Sequence, residues 1–203
     1  MSSIIKVDTI QNQSGANIIS ESSNTITVGA SGDTITIPSG ATLSNLGTAT
    51  GFGVNTPAFM VFNNGATQSI SNSTWTEVTN YNTESFDSDS AFNTTTCRFT
   101  PQVAGKYFFT AQINIASGSA AGFNAMMIAK NGTITGNSTS ELFIQTALAI
   151  GVTDLRLNGI LTMNGTTDYV SVYINQQTGG TKTLGSSGGT SLMFFGGYRL
   201  IGA

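Results

Sequence analysis

RFTPQVAGKYFFTAQINI, residues 98–115, lays out a strand, a turn carrying Pro101 and Gly105, and a second strand in one short run. After Gly105 the apolar Tyr107, Phe109, Ala111, Ile113 and Ile115 alternate with Lys106, Thr110, Gln112 and Asn114. Side chains two apart share one face of a strand, so this period predicts a half-buried strand with one face on a core. Phe108 breaks the alternation. A large aromatic on an otherwise polar face needs a cover of its own, which a second sheet or another subunit would supply.

Composition points the same way. Of 203 residues only 8% are charged and 24 are glycine, while Thr, Ser and Asn fill the polar positions. That mix is poor in helix formers and rich in strand and turn formers, so the expectation is all-β. The length allows one core plus an extension, since a domain of about 150 residues buries roughly two thirds of its unfolded surface. A net charge of -3 with no basic cluster predicts neither nucleic acid nor an anionic membrane as a partner. Histidine is absent, which removes the usual general base and the commonest metal ligand. The single cysteine, Cys97, excludes an internal disulfide and a cysteine-rich zinc site, and its place two residues before Phe99 in a predicted strand makes it a small buried hydrophobe. No signal-peptide stretch and no apolar run of ~18 residues occurs, so a soluble protein made in a cytoplasm, without membrane insertion, is expected. Neither a cofactor nor an enzymatic activity is expected.

Residues 1–47 differ from the remainder. Isoleucines and Val7 are scattered among polar residues, and NTITVGASGDTITIPSGATL repeats a short strand, Thr25–Val28 and then Thr34–Ile37, around glycine-containing turns. Such short strands cannot enclose a core in one chain, but three chains wound together can, which predicts an extended trimeric β shaft. A flexible polar leader with marginal strands is the alternative. The phrases IIKVDTIQNQSGANIIS and NTITVGASGDTITIPSGATLSNLGTATGFG resemble the N-terminal part of fibre-type structural proteins of marine bacteriophages. That resemblance implies a virion-anchoring segment over 1–47 that docks on other virion proteins. Residues 48–57, TATGFGVNTP, read as a linker.

From Ala58 to Ala203 strand signals recur with turns between them, the layout of a sandwich or jelly roll. AFMVF, TWTEV, FNAMMIAK, Leu142–Ile150, Leu155–Met163, Tyr169–Asn175 and the closing SLMFFGGYRLIGA read as strands, and YNTESFDSDSAF as an acidic loop. Phe99, Pro101, Gly105, Tyr107 and Phe108 reproduce a spacing that resembles the complement globular head and tumour-necrosis-factor-like jelly-roll family. The likeness extends through Ala58-Phe59, Asn82, Phe86-Asp87, Lys130-Asn131-Gly132 and Phe195-Gly196-Gly197-Tyr198, with a double glycine at the last step and Gly165-Thr166-Thr167-Asp168 in place of the family's Gly-Asp. It implies an antiparallel jelly roll of about ten strands assembled as a homotrimer.

Residues 125–129 and 192–195 are apolar at every position, so both faces of those strands require cover. One side meets the opposing sheet, and neighbouring subunits are expected on the other. The expected trimer interface therefore comprises Phe108, Met126, Ile128, Tyr169, Tyr173, Phe195 and Tyr198, with folding and trimerisation of the head as one event. Glu84, Asp87 and Asp89 are weak candidates for a calcium site, against the plainer reading of a solvated acidic loop. Asn-x-Ser/Thr sequons at Asn72, Asn93, Asn131, Asn137 and Asn164 are expected by chance in such a composition. Three functional classes follow: a phage virion fibre whose exposed head attaches to a host-surface glycan or protein, a capsid head fibre or decoration protein, and a fibre-borne polysaccharide depolymerase. The last is disfavoured, because no paired carboxylates on facing strands are suggested.

Overall fold

The structure, a computed structural model, describes residues 8–44, 46–47, 55–118, 122–136, 139–147, 151–185 and 193–201. The chain divides into two compact units, Met1–Gly51 and Phe52–Ala203. Its described residues form sixteen strands and no helix.

In the first unit β1 (Thr9–Gln11), β2 (Asn17–Ser22) and β3 (Thr25–Val28) make an antiparallel meander in the order β1-β2-β3. The Asn12 carboxamide oxygen accepts the Ser14 and Ala16 N–H groups at 3.0 Å each, which closes the β1–β2 turn. The second expected repeat, Thr34–Ile37, is not a strand. A strand needs a partner for its backbone groups, and among the described residues no strand pairs with this segment.

The second unit is an antiparallel sandwich. Sheet one holds β4 (Ala58–Phe62), β5 (Gln68–Ile70), β7 (Thr83–Asp87), β10 (Gly105–Gly118), β13 (Gly151–Met163), β15 (Lys182–Leu184) and β16 (Phe194–Arg199). Sheet two holds β6 (Thr76–Glu77), β8 (Phe92–Asn93), β9 (Arg98–Phe99), β11 (Phe123–Lys130), β12 (Glu141–Ala147) and β14 (Val170–Gln176). From β10 the chain crosses to β11 and β12, returns to β13, crosses to β14 and returns to β15 and β16, so successive strands wrap around one core in the manner of a jelly roll. The central stretch is the strand, turn and strand that its pattern predicts, with Tyr107, Phe109, Ala111, Ile113 and Ile115 all buried.

Aromatic rings fill the middle of the core. Phe59 stacks on Phe99 with centroids 4.2 Å apart and meets Phe195 edge-on at 4.9 Å. Each such side chain contributes about 1.5–3 kcal/mol by burial. The double glycine of β16 is a packing requirement, since a Cβ on Gly197 would lie 2.6 Å from a Phe109 ring carbon and one on Gly196 2.9 Å from the Met60 thioether. The residues of this core are buried within a single chain.

Three local expectations change. YNTESFDSDSAF is not simply a loop, because Thr83–Asp87 pairs with β4 at the edge of sheet one, and an exposed edge strand leaves no apolar period to read. TWTEV contributes only Thr76–Glu77 to a sheet. Cys97 is buried as expected but sits in a turn at φ 53° rather than in a strand, its Sγ 3.4 Å from the Tyr81 carbonyl oxygen. Most of the proposed linker, 48–54, Asn137, and the Leu148, Ile150 and Leu192 positions lie outside the described residues.

Candidate functional site

Alternation along β10 turns Lys106, Phe108, Thr110 and Gln112 away from the core. The registers then set Phe108 opposite Ile160 on β13 and Tyr198 on β16, and Tyr198 opposite Ala58 on β4. The Phe108 and Tyr198 rings lie 5.5 Å apart. Ile160 is 52% exposed and Tyr198 40%, so the row presents apolar surface to solvent across four strands. A parallel row joins Met60 to Phe86, which is itself 51% exposed, and a third brings Phe194 opposite Phe62. A groove of about 420 Å³, lined by Thr110, Ile144, Arg156, Leu157, Asn158 and Phe194, lies beside these rows toward β13. The outer face of sheet one thus carries an aromatic and aliphatic surface on an otherwise sparsely charged chain.

Only part of the expected interface lies there. Phe108 and Tyr198 do, side by side. Met126, Ile128 and Phe195 are wholly buried between the sheets and are removed from the candidate surface, because their strand positions point them inward. On β11 it is Met127 and Ala129 that face outward, where Tyr173, Trp75 and Ile134 of the same chain cover them. Residues 125–129 therefore do need cover on both faces, and one chain supplies it. Tyr169 and Tyr173 belong to the outer side of sheet two, so they form no common patch with Phe108 and Tyr198. Beside them Arg98 makes a bidentate pair with Glu77, 2.9 Å at each contact, and its guanidinium lies 4.3 Å from the Tyr169 ring centroid. Burial, the largest single influence, would by itself raise the Glu77 carboxyl, but the hydrogen bond and charge of Arg98 together with the Ser171 and Tyr173 hydroxyls outweigh it and hold the group below its ordinary 4.5.

Glu84, Asp87 and Asp89 do not converge. Asp87 accepts the Phe92 N–H at 2.7 Å and the Asp89 N–H at 3.4 Å, one on each carboxylate oxygen, which closes the loop between β7 and β8. Among the described residues no group of three or more His, Cys, Asp or Glu is placed to hold a metal ion.

Ile160 is absent from the sequence expectations, and Phe86 enters them only in the family-like Phe86-Asp87 step and not as a surface residue. The signal for Ile160 was present: like Phe108, it is an apolar residue out of phase with the buried face of its own strand, here Leu155, Leu161 and Met163.

No protein-family model matches the chain, and no curated protein matches it. Among solved structures the chain is similar to the globular domain of the zebrafish complement 1qA protein, at 18% identity and TM-score 0.44, over 71% of this chain and 96% of that one. It is similar to murine APRIL at 13% identity and TM-score 0.48, covering 70% and 98%, and to Eiger TNF from S. frugiperda at 14% identity and TM-score 0.45, covering 72% and 93%.

Proposed function

We propose that the chain is the subunit of a homotrimeric bacteriophage fibre, a structural and adhesive virion protein rather than an enzyme. In this reading residues 1–47 dock on other virion proteins and form the shaft. The head, 58–203, assembles through the outer face of sheet one and presents its remaining surface to a host-cell glycan or protein. The observation that carries assembly is the uncovered row Ile160–Phe108–Tyr198, whose exposure in one chain is what a neighbouring subunit would remove. The virion reading is supported by the phage-like phrases of the N-terminal segment.

Sedimentation of the full chain tests assembly, with a trimer expected and a well-folded, concentration-independent monomer overturning it. Imaging particles that carry a tag after Ala203 tests location. Signal at the tail supports the fibre, signal on the capsid supports a head fibre or decoration protein built from the same parts, and its absence from particles refutes both. Release of reducing sugar from purified capsule would move the protein to the depolymerase class.

A further inference from the structure

Four Asn-Gly steps occur in the chain, at Asn64-Gly65, Asn131-Gly132, Asn158-Gly159 and Asn164-Gly165. An asparagine before glycine carries an electrophile and a nucleophile of its own. The side-chain carbonyl carbon lies within ring-closing reach of the next backbone nitrogen, and glycine has no Cβ to obstruct the approach.

The fold restrains three of the four. Asn131 accepts the Tyr169 N–H at 3.0 Å and donates to the Asp168 carboxylate at 2.7 Å. The Asn164 Oδ1 accepts the N–H groups of Thr166 at 2.9 Å and of Thr167 and Asp168 at 3.0 Å, while its Nδ2 donates to the Thr167 hydroxyl at 2.9 Å. Turning either carboxamide onto its own glycine gives up those bonds. Asn158 is exposed, but its step lies inside β13, where Asn158 pairs with Thr110 and Gly159 with Phe109. Attack there needs the Asn158 ψ to leave the extended range, which the ladder opposes.

Asn64-Gly65 has neither restraint. The step lies between β4 and β5 with both residues exposed. Only the Asn64 backbone is engaged: its N–H donates to the Asn82 Oδ1 at 2.8 Å, and its carbonyl oxygen accepts from the Asn82 Nδ2 at 3.4 Å. Among the described residues the Asn64 carboxamide and the Gly65 N–H have no partner. A Cβ built on Gly65 would find no atom within 4 Å, so water reaches the step. Its base is fixed nonetheless, since the buried Asn63 donates through Nδ2 to the Ala66 carbonyl oxygen at 2.5 Å and to that of Asn80 at 3.0 Å.

We propose that Asn64 is a site of spontaneous modification in the folded head. The Gly65 backbone nitrogen bonds to the Asn64 Cγ, the Cγ–Nδ2 bond breaks, and the proton of the Gly65 N–H departs on the leaving ammonia, which closes an imide. Water then opens that imide. Opening at the side-chain carbonyl gives aspartate, and opening at the main-chain carbonyl gives isoaspartate, whose backbone runs through the former side chain. Water is the co-reactant, and no oxidant or reductant takes part. Each event adds one carboxylate to a chain of formal net charge -3. Neither the homotrimer nor the virion reading enters this inference.

The test holds the purified full chain in mildly alkaline buffer, folded in one sample and unfolded in concentrated guanidinium in another. Mass spectrometry of the peptides follows replacement of amide nitrogen by oxygen at each Asn-Gly step, and isoaspartyl methyltransferase labelling identifies the isomer. In the folded chain Asn64 should convert while Asn158 stays intact. Asn131 and Asn164 should lag by at least about tenfold, since giving up two or more hydrogen bonds costs on the order of the ~1.4 kcal/mol that a factor of ten represents. In the unfolded chain all four steps should convert. Isoelectric focusing of the aged folded protein should show a new acidic species that Asn64→Gln lacks. An Asn64 that stays intact in the folded chain over the period in which the unfolded chain converts overturns the proposal. Equal conversion of all four steps in the folded chain also overturns it, because the fold would then select nothing, and so does an acidic species that persists in Asn64→Gln.

Discussion

Replacing Ile160 by aspartate separates the assembly surface from the core. In a single chain this side chain is 52% exposed, so a carboxylate there reaches water, and the fold loses part of one cross-strand contact with Phe108, worth about 0.2–1 kcal/mol. Under a neighbouring subunit the arithmetic changes. The exposed half of an isoleucine is worth about 1 kcal/mol of burial, and desolvating a carboxylate adds several kcal/mol. Over three subunits the penalty exceeds ~10 kcal/mol, and since about 1.4 kcal/mol is tenfold in an association constant, the trimer should vanish at any practical concentration. Sedimentation velocity over a dilution series, with urea unfolding in parallel, reads both quantities. The wild-type chain and Lys106→Asp, an exposed position on the same face, should sediment as trimers, and Ile160→Asp as a folded monomer with a urea midpoint close to that of a dissociated wild-type chain. An Ile160→Asp trimer as stable as the wild type would refute the placement of this row at a subunit contact. Phe108→Asp is the less selective probe, because Phe108 is half-buried against Tyr198 and its loss disturbs fold and assembly together.

Gly197→Ala should destabilise the head by about 1–3 kcal/mol, read as a lower urea midpoint, because the added methyl meets Phe109 and the Phe108 carbonyl oxygen at 2.6 and 2.8 Å; an unchanged midpoint would show that β16 does not pack so closely. Glu77 and Asp168 both have folded carboxyls held below their ordinary 4.5 and 3.8, so their contribution is fully present above those values and is lost as the pH falls through the folded ones. The melting temperature should therefore hold steady down to about pH 5 and decline below it, with a shallower decline in Glu77→Gln, and an identical acid profile for that variant would remove Glu77 from the account. Chelation should leave the melting temperature unchanged, since both Asp87 oxygens already accept backbone N–H groups; a large drop restored by calcium would make the β7–β8 loop a metal site.

The all-β class and the inward face of the central strand were legible in the sequence because both depend on local quantities, composition and a period of two. Tyr107 to Ile115 alternate as the buried residues of β10 do, and Phe108 announced itself by breaking step. The same local rule leaves the destination of a doubly apolar strand undecided. Residues 125–129 need cover on both faces, yet only the fold determines that Met126 and Ile128 enter the sandwich while Met127 and Ala129 lie beneath Trp75 and Ile134 of the same chain. Pairing between strands distant in sequence likewise decides which outward residues become neighbours. Phe108, Ile160 and Tyr198 are brought together by two ladders that no local pattern encodes, while Tyr169 and Tyr173, aromatic in the same manner, are carried to the other sheet. Edge strands are hardest to foresee, since Thr83–Asp87 buries neither face and owes its conformation to backbone pairing with β4 rather than to its side chains.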